Sequence, residues 1–253
     1  MSGNMRQARI IDIHEYYRTG GIDWLRLKAN FDAVGIRALV GSVVDELLEE
    51  HVDYAQRYEI PYFTYCVPSK KVNAEKQAAL YLDQYGVKDA PKVWDIEPVG
   101  GELVDGETVS ILFQCVQDAW YYSNENYTNK IGNPKFLKDV EVIWLAQYYY
   151  QIYPLKYRKF KPFLDKYAWQ QPKSAVRLGL NATLWQFTNY GDARYYCANE
   201  RTNDPDWPAG IKSADLNVSL IDEPDLLALF NDAPLTIEEK VERLWDAHPD
   251  LHG

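Results

Sequence analysis

The sequence predicts an α/β fold, a single domain built as an irregular, TIM-like barrel. The chain has 253 residues, which is a common length for one α/β barrel. Eight short runs of β-forming residues start 23 to 40 residues apart, a spacing typical of parallel strands joined by crossovers. Apolar stripes of helical period lie between the first runs. An open, doubly wound sheet is the alternative, although no glycine-rich phosphate loop follows any predicted strand.

The predicted strands are rich in β-branched and aromatic residues, as strands generally are. They span Arg9–Ile13, Arg37–Val43, Tyr62–Val67, Lys92–Glu97, Ala119–Asn124, Val142–Tyr148, Ala182–Phe187 and Ala214–Leu220. The first four crossovers carry apolar stripes over 24–34, 47–58, 78–85 and 109–116, and each stripe predicts a helix. Gly35 and Gly86 follow the first and third stripes, where a helix-ending glycine is expected.

The second half of the chain has a less regular pattern. Residues 149–181 contain three prolines and no clean stripe, and residues 191–213 are predicted to form a long polar loop. A short helix is predicted over Pro224–Phe230. We therefore assign residues 1–233 to the barrel and residues 234–253 to a short amphipathic helix or tail.

Composition and charge exclude several classes of protein. The formal net charge is −10 and the pI is about 4.9, so binding to nucleic acid is not expected, because phosphate contacts need clustered Lys and Arg. The basic run at 156–161 is interpreted as a solvated surface. No apolar run approaches the roughly 18 residues that a membrane span needs. Residues 1–7 are polar and predict no signal peptide.

The cysteines and histidines predict neither disulfides nor a metal site. Three cysteines at wide spacing, Cys66, Cys115 and Cys197, favour reduced and mostly buried thiols. His248 and His252 in the tail are separated by a proline, which disfavours a helical metal-binding pair. We expect a monomer that needs no cofactor and no metal.

Acidic residues at three predicted strand ends point to carbohydrate chemistry. Side chains alternate along a strand, so Asp95 and Glu97 share one face about 7 Å apart. Asp12 lies within an apolar run, where a carboxylate is costly unless it has a partner or a task, and Asp215 lies in the last strand. In α/β barrels, catalytic groups come from strand ends. A protonated carboxyl beside an ionised one is what glycosidic cleavage requires.

Aromatic residues surround these acids in the sequence. Phe, Trp and Tyr make up 14% of the chain, and such rings fill cores as well as stacking on sugars. Trp144 and Tyr148 end one predicted strand, and Trp185 with Gln186 ends another. A hard-cation site would also use carboxylates, but the aromatic surroundings favour a carbohydrate site.

At these motifs the chain resembles the lysozymes of glycoside hydrolase family 25, the muramidases of phage endolysins and of some bacteria and fungi. The resemblance covers residues 9–220 and depends on five motifs in order. They are Ile11-Asp12-Ile13-His14, Ile22-Asp23-Trp24, Asp95-Ile96-Glu97, Trp144-Leu145-Ala146-Gln147-Tyr148, and Trp185-Gln186-Phe187 followed by Asp215-Leu216-Asn217. The resemblance implies a barrel of five β/α units and three further strands, written (β/α)5(β)3.

The resemblance also implies hydrolysis of the β-1,4 bond between N-acetylmuramic acid and N-acetylglucosamine in peptidoglycan. It makes Glu97 the acid/base and Asp95 the residue that stabilises charge, with Asp12 and Asp215 completing an acidic floor. Candidate substrate-binding residues are His14, Tyr65, Trp144, Tyr148, Trp185 and Gln186. Such a protein would be made in the cytoplasm, in the host's if it is phage-encoded, and would act on the cell wall after release.

The sequence departs from the family pattern near the second and third strands. His14 replaces a serine, Val40-Gly41-Ser42-Val43-Val44-Asp45-Glu46 replaces a Lys-Ala-x-Glu-Gly run, and Thr64-Tyr65-Cys66 replaces Tyr-His-Phe. These changes leave open a barrel that binds wall glycan without cleaving it, for example a structural part of a phage. A chitinase-type barrel is disfavoured, since Ala90 and Val93 occupy positions where that family's motif has aspartates.

Overall fold

The structure, a computed structural model, describes residues 6–14, 22–148, 159–192 and 213–231. Its centre is a β-sheet that closes into a barrel, because the first strand pairs with both the second and the last. The strands are β1 (Gln7–Ile13), β2 (Ala33–Val40), β3 (Val43–Val44), β4 (Tyr62–Val67), β5 (Lys92–Asp95), β6 (Trp120–Asn124), β7 (Ile143–Ala146), β8 (Leu184–Asp192) and β9 (Ser213–Asp222). The helices are α1 (Trp24–Asn30), α2 (Leu48–Arg57), α3 (Ala74–Leu82), α4 (Gly106–Cys115), α5 (Glu125–Lys130), α6 (Phe160–Tyr167), α7 (Lys173–Leu178) and α8 (Glu223–Asn231).

The topology confirms the predicted fold class, an irregular barrel of the (β/α)5(β)3 type. Strands β1, β2, β4, β5, β6, β7 and β8 are parallel, and β9 pairs antiparallel with β8 and β1. Strand β3 is a short hairpin partner of β2. The prediction of parallel strands was therefore wrong for β9. Sequence spacing could not reveal its direction, since a long connection permits either direction.

Two predictions about helices need correction. Gly35 does not end a helix but lies inside β2, where an added Cβ would come 2.6 Å from ring atoms of Phe63, so the missing side chain makes room for that ring. The irregular stretch after β7 does contain helices, α6 and α7. Pro162 lies in the first turn of α6 and Pro172 directly precedes α7, positions where proline is compatible with a helix.

The strand pleat divides the core into two clusters. Side chains on the outer face pack against the helices, as Ile11, Trp94 and Ile96 do. Side chains on the inner face fill the barrel, among them Ile10, Phe63, Val93, Trp120, Tyr122, Trp144 and Leu184. Because Asp12 alternates with Ile11, and Asp95 with Trp94, both acids belong to the inner face.

Helix α8 closes the amino-terminal end of the barrel. Leu226 is fully buried among the inner residues, and the Phe230 ring lies 5.8 Å from Trp120 and 6.3 Å from Phe63, centroid to centroid. The predicted helix at this position is confirmed. The tail at 234–253 and Cys197 lie outside the described residues. Cys66 is buried as predicted, but Cys115, at the end of α4, is exposed.

No helix among the described residues is long and apolar enough to cross a membrane.

Candidate active site

Four carboxyl groups lie at the carboxyl-terminal end of the barrel, which we call the mouth. Asp12 is the second-last residue of β1, Asp95 ends β5, and Glu97 follows it by two residues. Asp215 lies near the start of the antiparallel β9 and pairs in register with Asp12. The four acids act on one another electrostatically, as expected for one cluster.

Asp12 is held in place by several hydrogen bonds. It is 5% exposed, and its Oδ2 accepts hydrogen bonds from Asn217 Nδ2 at 2.9 Å and from Gln186 Nε2 at 3.3 Å. Its carboxyl group is also hydrogen-bonded to that of Asp215. Burial raises the pKa of Asp12 to about 6 against the opposing effect of these hydrogen bonds, and the pKa of Asp215 is raised well above its ordinary value by burial and by Asp12.

Asp95 is the last residue of β5, and Glu97 lies just beyond the end of that strand. Burial raises the pKa of Glu97 to about 6, with a further contribution from the charge of Asp12 and an opposing one from the nearby Tyr122 hydroxyl. Asp95 is 7% exposed, and burial together with the charges of the other acids raises its pKa well above the usual range. The Asp95 Oδ1 atom is buried and has no hydrogen-bond partner among the described residues.

Two tyrosine hydroxyls connect the acids to Gln186. Tyr122 donates a hydrogen bond to Gln186 Oε1 at 2.8 Å, and Tyr148 donates to the same oxygen. Burial raises the pKa of both hydroxyls, so both remain protonated donors. Gln186 is only 2% exposed. Its side chain is therefore enclosed by Asp12 and the two tyrosines.

Two further predicted site residues lie near the end of β1. Tyr65 on β4 is buried and donates a hydrogen bond to the Ile13 carbonyl at 3.2 Å. Burial and the charges of Arg37 and His51 lower the pKa of His14 to about 3, so this imidazole is neutral. Arg37 on β2 forms a 2.9 Å ion pair with Asp45, and its charge opposes the rise of the Asp95 pKa.

The two predicted tryptophans have different locations. Trp144 is on the inner face below the acids, 2% exposed, and its Nε1 donates to Asn217 Oδ1 at 2.9 Å. Trp185 faces outward, because it is adjacent to the inward-facing Gln186 on the same strand. Its ring packs 4.8 Å from that of Phe163 in α6, so the structure does not bring Trp185 to the mouth.

Sequence reasoning missed Tyr122 and Asn217 as site residues. Strand alternation could have found both: Tyr122 is opposite Asp95 in the pairing of β5 with β6, and Asn217 shares a face with Asp215 two residues earlier. Tyr122 lies in a run of aromatic residues that suited a core strand equally well.

Metal-binding geometry is lacking within the described residues: they contain no group of three or more His, Cys, Asp or Glu side chains that could hold a metal ion.

Solved structures of a lysozyme, an endolysin catalytic domain and a family 25 glycosyl hydrolase have the same fold. The lysozyme from Streptomyces coelicolor matches with a TM-score of 0.65 and 16% identity over 90% of this chain and 98% of its own. The catalytic domain of endolysin ply40 from bacteriophage P40 of Listeria monocytogenes matches with a TM-score of 0.62 and 16% identity over 91% of this chain and 100% of its own. A family 25 glycosyl hydrolase from Bacillus anthracis matches with a TM-score of 0.59 and 19% identity over 89% of this chain and 94% of its own. By sequence, no family model and no curated protein matches the chain.

Proposed function

We propose that this protein is a peptidoglycan hydrolase, an N-acetylmuramidase that cleaves the β-1,4 bond between N-acetylmuramic acid and N-acetylglucosamine. The observation that carries the proposal is the convergence of Asp12, Asp95, Glu97 and Asp215 on one mouth. The shared fold with lysozymes and an endolysin domain supports it. Paired carboxyl groups of different proton affinity are the chemical requirement for cleaving a glycosidic bond.

Glu97 is the proton donor to the leaving oxygen. It is half-buried at the mouth, and burial with the nearby Asp12 raises its pKa to about 6, so it still holds a proton at mildly acidic pH. General acid catalysis needs a group that is protonated at the working pH and is still acidic enough to release that proton. Glu97 satisfies both conditions.

Asp95 stabilises the positive charge that develops on the sugar and orients the substrate. Asp95 is 7% exposed beside Glu97, so its carboxyl group borders the position where the sugar would bind. Asp12 and Asp215 set the charge of the mouth. Tyr148, which is half-buried, and Tyr65 and His14 beside β1 form the walls against which the sugars bind.

We further propose how and where the protein acts. The protein binds cell-wall glycan as a monomer, without cofactor or metal, and without nucleic acid or membrane as a partner. It is made in the cytoplasm and reaches the wall after release.

Mass spectrometry of digested peptidoglycan tests this function directly. A muramidase leaves N-acetylmuramic acid at the new reducing ends, and we expect this sugar after borohydride reduction of the products. The Glu97→Gln variant is the matched control, because it keeps the shape of the side chain and removes the titrating proton. Reducing N-acetylglucosamine ends would contradict the proposed bond. Binding of sacculi without any released fragment would instead support the non-catalytic alternative.

A further inference from the structure

Two buried amide side chains donate to the same oxygen of Asp12. Asn217 and Gln186 are 0% and 2% exposed, and their amide nitrogens lie 2.9 Å and 3.3 Å from Asp12 Oδ2. Neither side chain is accessible to a polymeric substrate. Any effect that they have on chemistry must therefore act through the groups that they contact, of which Asp12 is the one that they share.

The orientation of each amide is fixed from its other end. The Trp144 indole N–H donates to Asn217 Oδ1 at 2.9 Å, and an indole nitrogen can only donate. The hydroxyls of Tyr122 and Tyr148 both donate to Gln186 Oε1. With both oxygens occupied in this way, each amide can offer Asp12 only its NH₂ group.

This arrangement distinguishes Asp12 from the acid beside it. Asp12 and Asp215 are opposite each other in the β1–β9 pairing and their carboxyl groups are hydrogen-bonded, so one proton is shared between them. Donors directed at Asp12 stabilise its ionised form. The proton of the pair then resides on Asp215, which has no comparable pair of amide donors among the described residues.

We propose that Gln186 and Asn217 are positioning residues that keep Asp12 as the charged member of the Asp12–Asp215 pair, and that this charge helps Glu97 to retain its proton. The inference rests on the proposed function for its catalytic consequence, but the charge assignment can be measured without substrate. The groups that face Asp12 and must be included in any titration are Tyr65, Asp95, Glu97, Tyr122, Tyr148 and Asp215.

The effect of removing one amide follows from the sign of the interaction. In Gln186→Met, Asp12 loses a donor, takes up a proton more easily and repels the ionised form of Glu97 less. The Glu97 pKa, raised in part by Asp12, should therefore fall. At pH 7 the protonated fraction of Glu97, and kcat with it, should fall by up to roughly tenfold, the factor that corresponds to one pKa unit. KM should change little, since Gln186 is buried.

Gln186→Glu is the conservative counterpart. While its new carboxyl group is protonated, that group can accept from the tyrosines and donate to Asp12 as the amide does. We expect this variant to retain the wild-type pH profile on the acidic side and to lose activity only where the introduced group ionises. Thr64→Val is the structural control, because Thr64 is fully buried on β4 and bonds to Tyr81 rather than to any acid of the mouth.

The experiment combines carboxyl ¹³C NMR titrations of the folded proteins with pH profiles of kcat and KM on peptidoglycan. The expected result is an ionised Asp12 beside a protonated Asp215 in the wild type, a lowered Glu97 midpoint in Gln186→Met, and an unchanged midpoint in Thr64→Val. Ionisation of Asp215 before Asp12, or an unchanged Glu97 midpoint in Gln186→Met, would overturn the inference even if the enzyme is active. Conversely, if the titrations are as expected but the protein releases no glycan, the charge assignment stands and the proposed function is refuted.

Discussion

The two ends of the barrel interior differ in chemical character, since one is apolar and the other is acidic. At the amino-terminal end, Phe63 and Trp120 meet Phe230 of α8 in an apolar floor. At the carboxyl-terminal mouth, buried acids raise one another's pKa values, and Asp95 has an oxygen without a partner. The same strands build both ends, so the difference arises from side chains one or two pleats apart. The floor buries apolar side chains against one another, and the mouth gives up stability for reactivity.

The largest effect is expected at the mouth. Glu97→Gln should lower the turnover of peptidoglycan by about 10²–10⁴-fold, the usual contribution of general acid catalysis. Glycan binding should persist, because the walls of the mouth are untouched. Turnover and sacculus binding are measured on the same folded sample, and a variant with wild-type turnover would remove Glu97 from the mechanism.

A cavity in the floor should affect stability and leave the chemistry unchanged. Leu226 is fully buried in the inner cluster, so Leu226→Ala should reduce the free energy of unfolding by about 2–5 kcal/mol. The pH profile of the remaining folded enzyme should match that of the wild type. Urea denaturation and activity at several pH values check both parts, and a displaced profile would show that the two ends are coupled.

Neutralising an acid of the mouth should stabilise the fold. The pKa of Asp95 is raised in the folded protein. Above the unfolded pKa of about 3.9, ionisation therefore favours the unfolded state. The resulting loss of stability grows with pH until the carboxyl group ionises in the folded protein as well. Asp95→Asn should therefore increase the free energy of unfolding at pH 7, by about 1.4 kcal/mol for each unit by which folding raises the pKa, with little gain near pH 3. Activity should fall in the same variant. A destabilised variant at pH 7 would contradict the ionisation penalty assigned to this group.

The smallest effect is expected on the outer face. Trp185→Phe removes the hydrogen bond to the Gln147 carbonyl but leaves a ring to pack against α6. We expect a loss of about 1 kcal/mol in stability and no change in KM for glycan. A raised KM with unchanged stability would return Trp185 to the substrate-binding residues.

Strand alternation and spacing predicted the barrel, its eight main strands and the shared face of Asp95 and Glu97. Those features are local, since a period of two residues is visible in the sequence. The direction of β9 and the position of Gly35 inside β2 were not predictable from local patterns. Both depend on contacts with distant residues, β1 in one case and Phe63 in the other.

The hydrogen-bond network of the mouth was predictable only in part. Gln186 and Trp185 were both predicted to contact substrate as parts of one motif, yet the two residues point to opposite faces of β8. Asn217 was included in a predicted motif, but no role was assigned to it. Its role depends on partners 73 and 205 residues away in the chain, Trp144 and Asp12, and no window of sequence contains that information.

The exposed thiol at the end of α4 has a practical consequence. Cys115 directly precedes the turn into β6, at the amino-terminal end of the barrel and so opposite the mouth. A maleimide-bearing surface or fluorophore coupled there, in a Cys197→Ser background, would hold the molecule with its mouth facing outward. Immobilised in that orientation, the protein could be presented to intact sacculi as a sensor for cell-wall glycan.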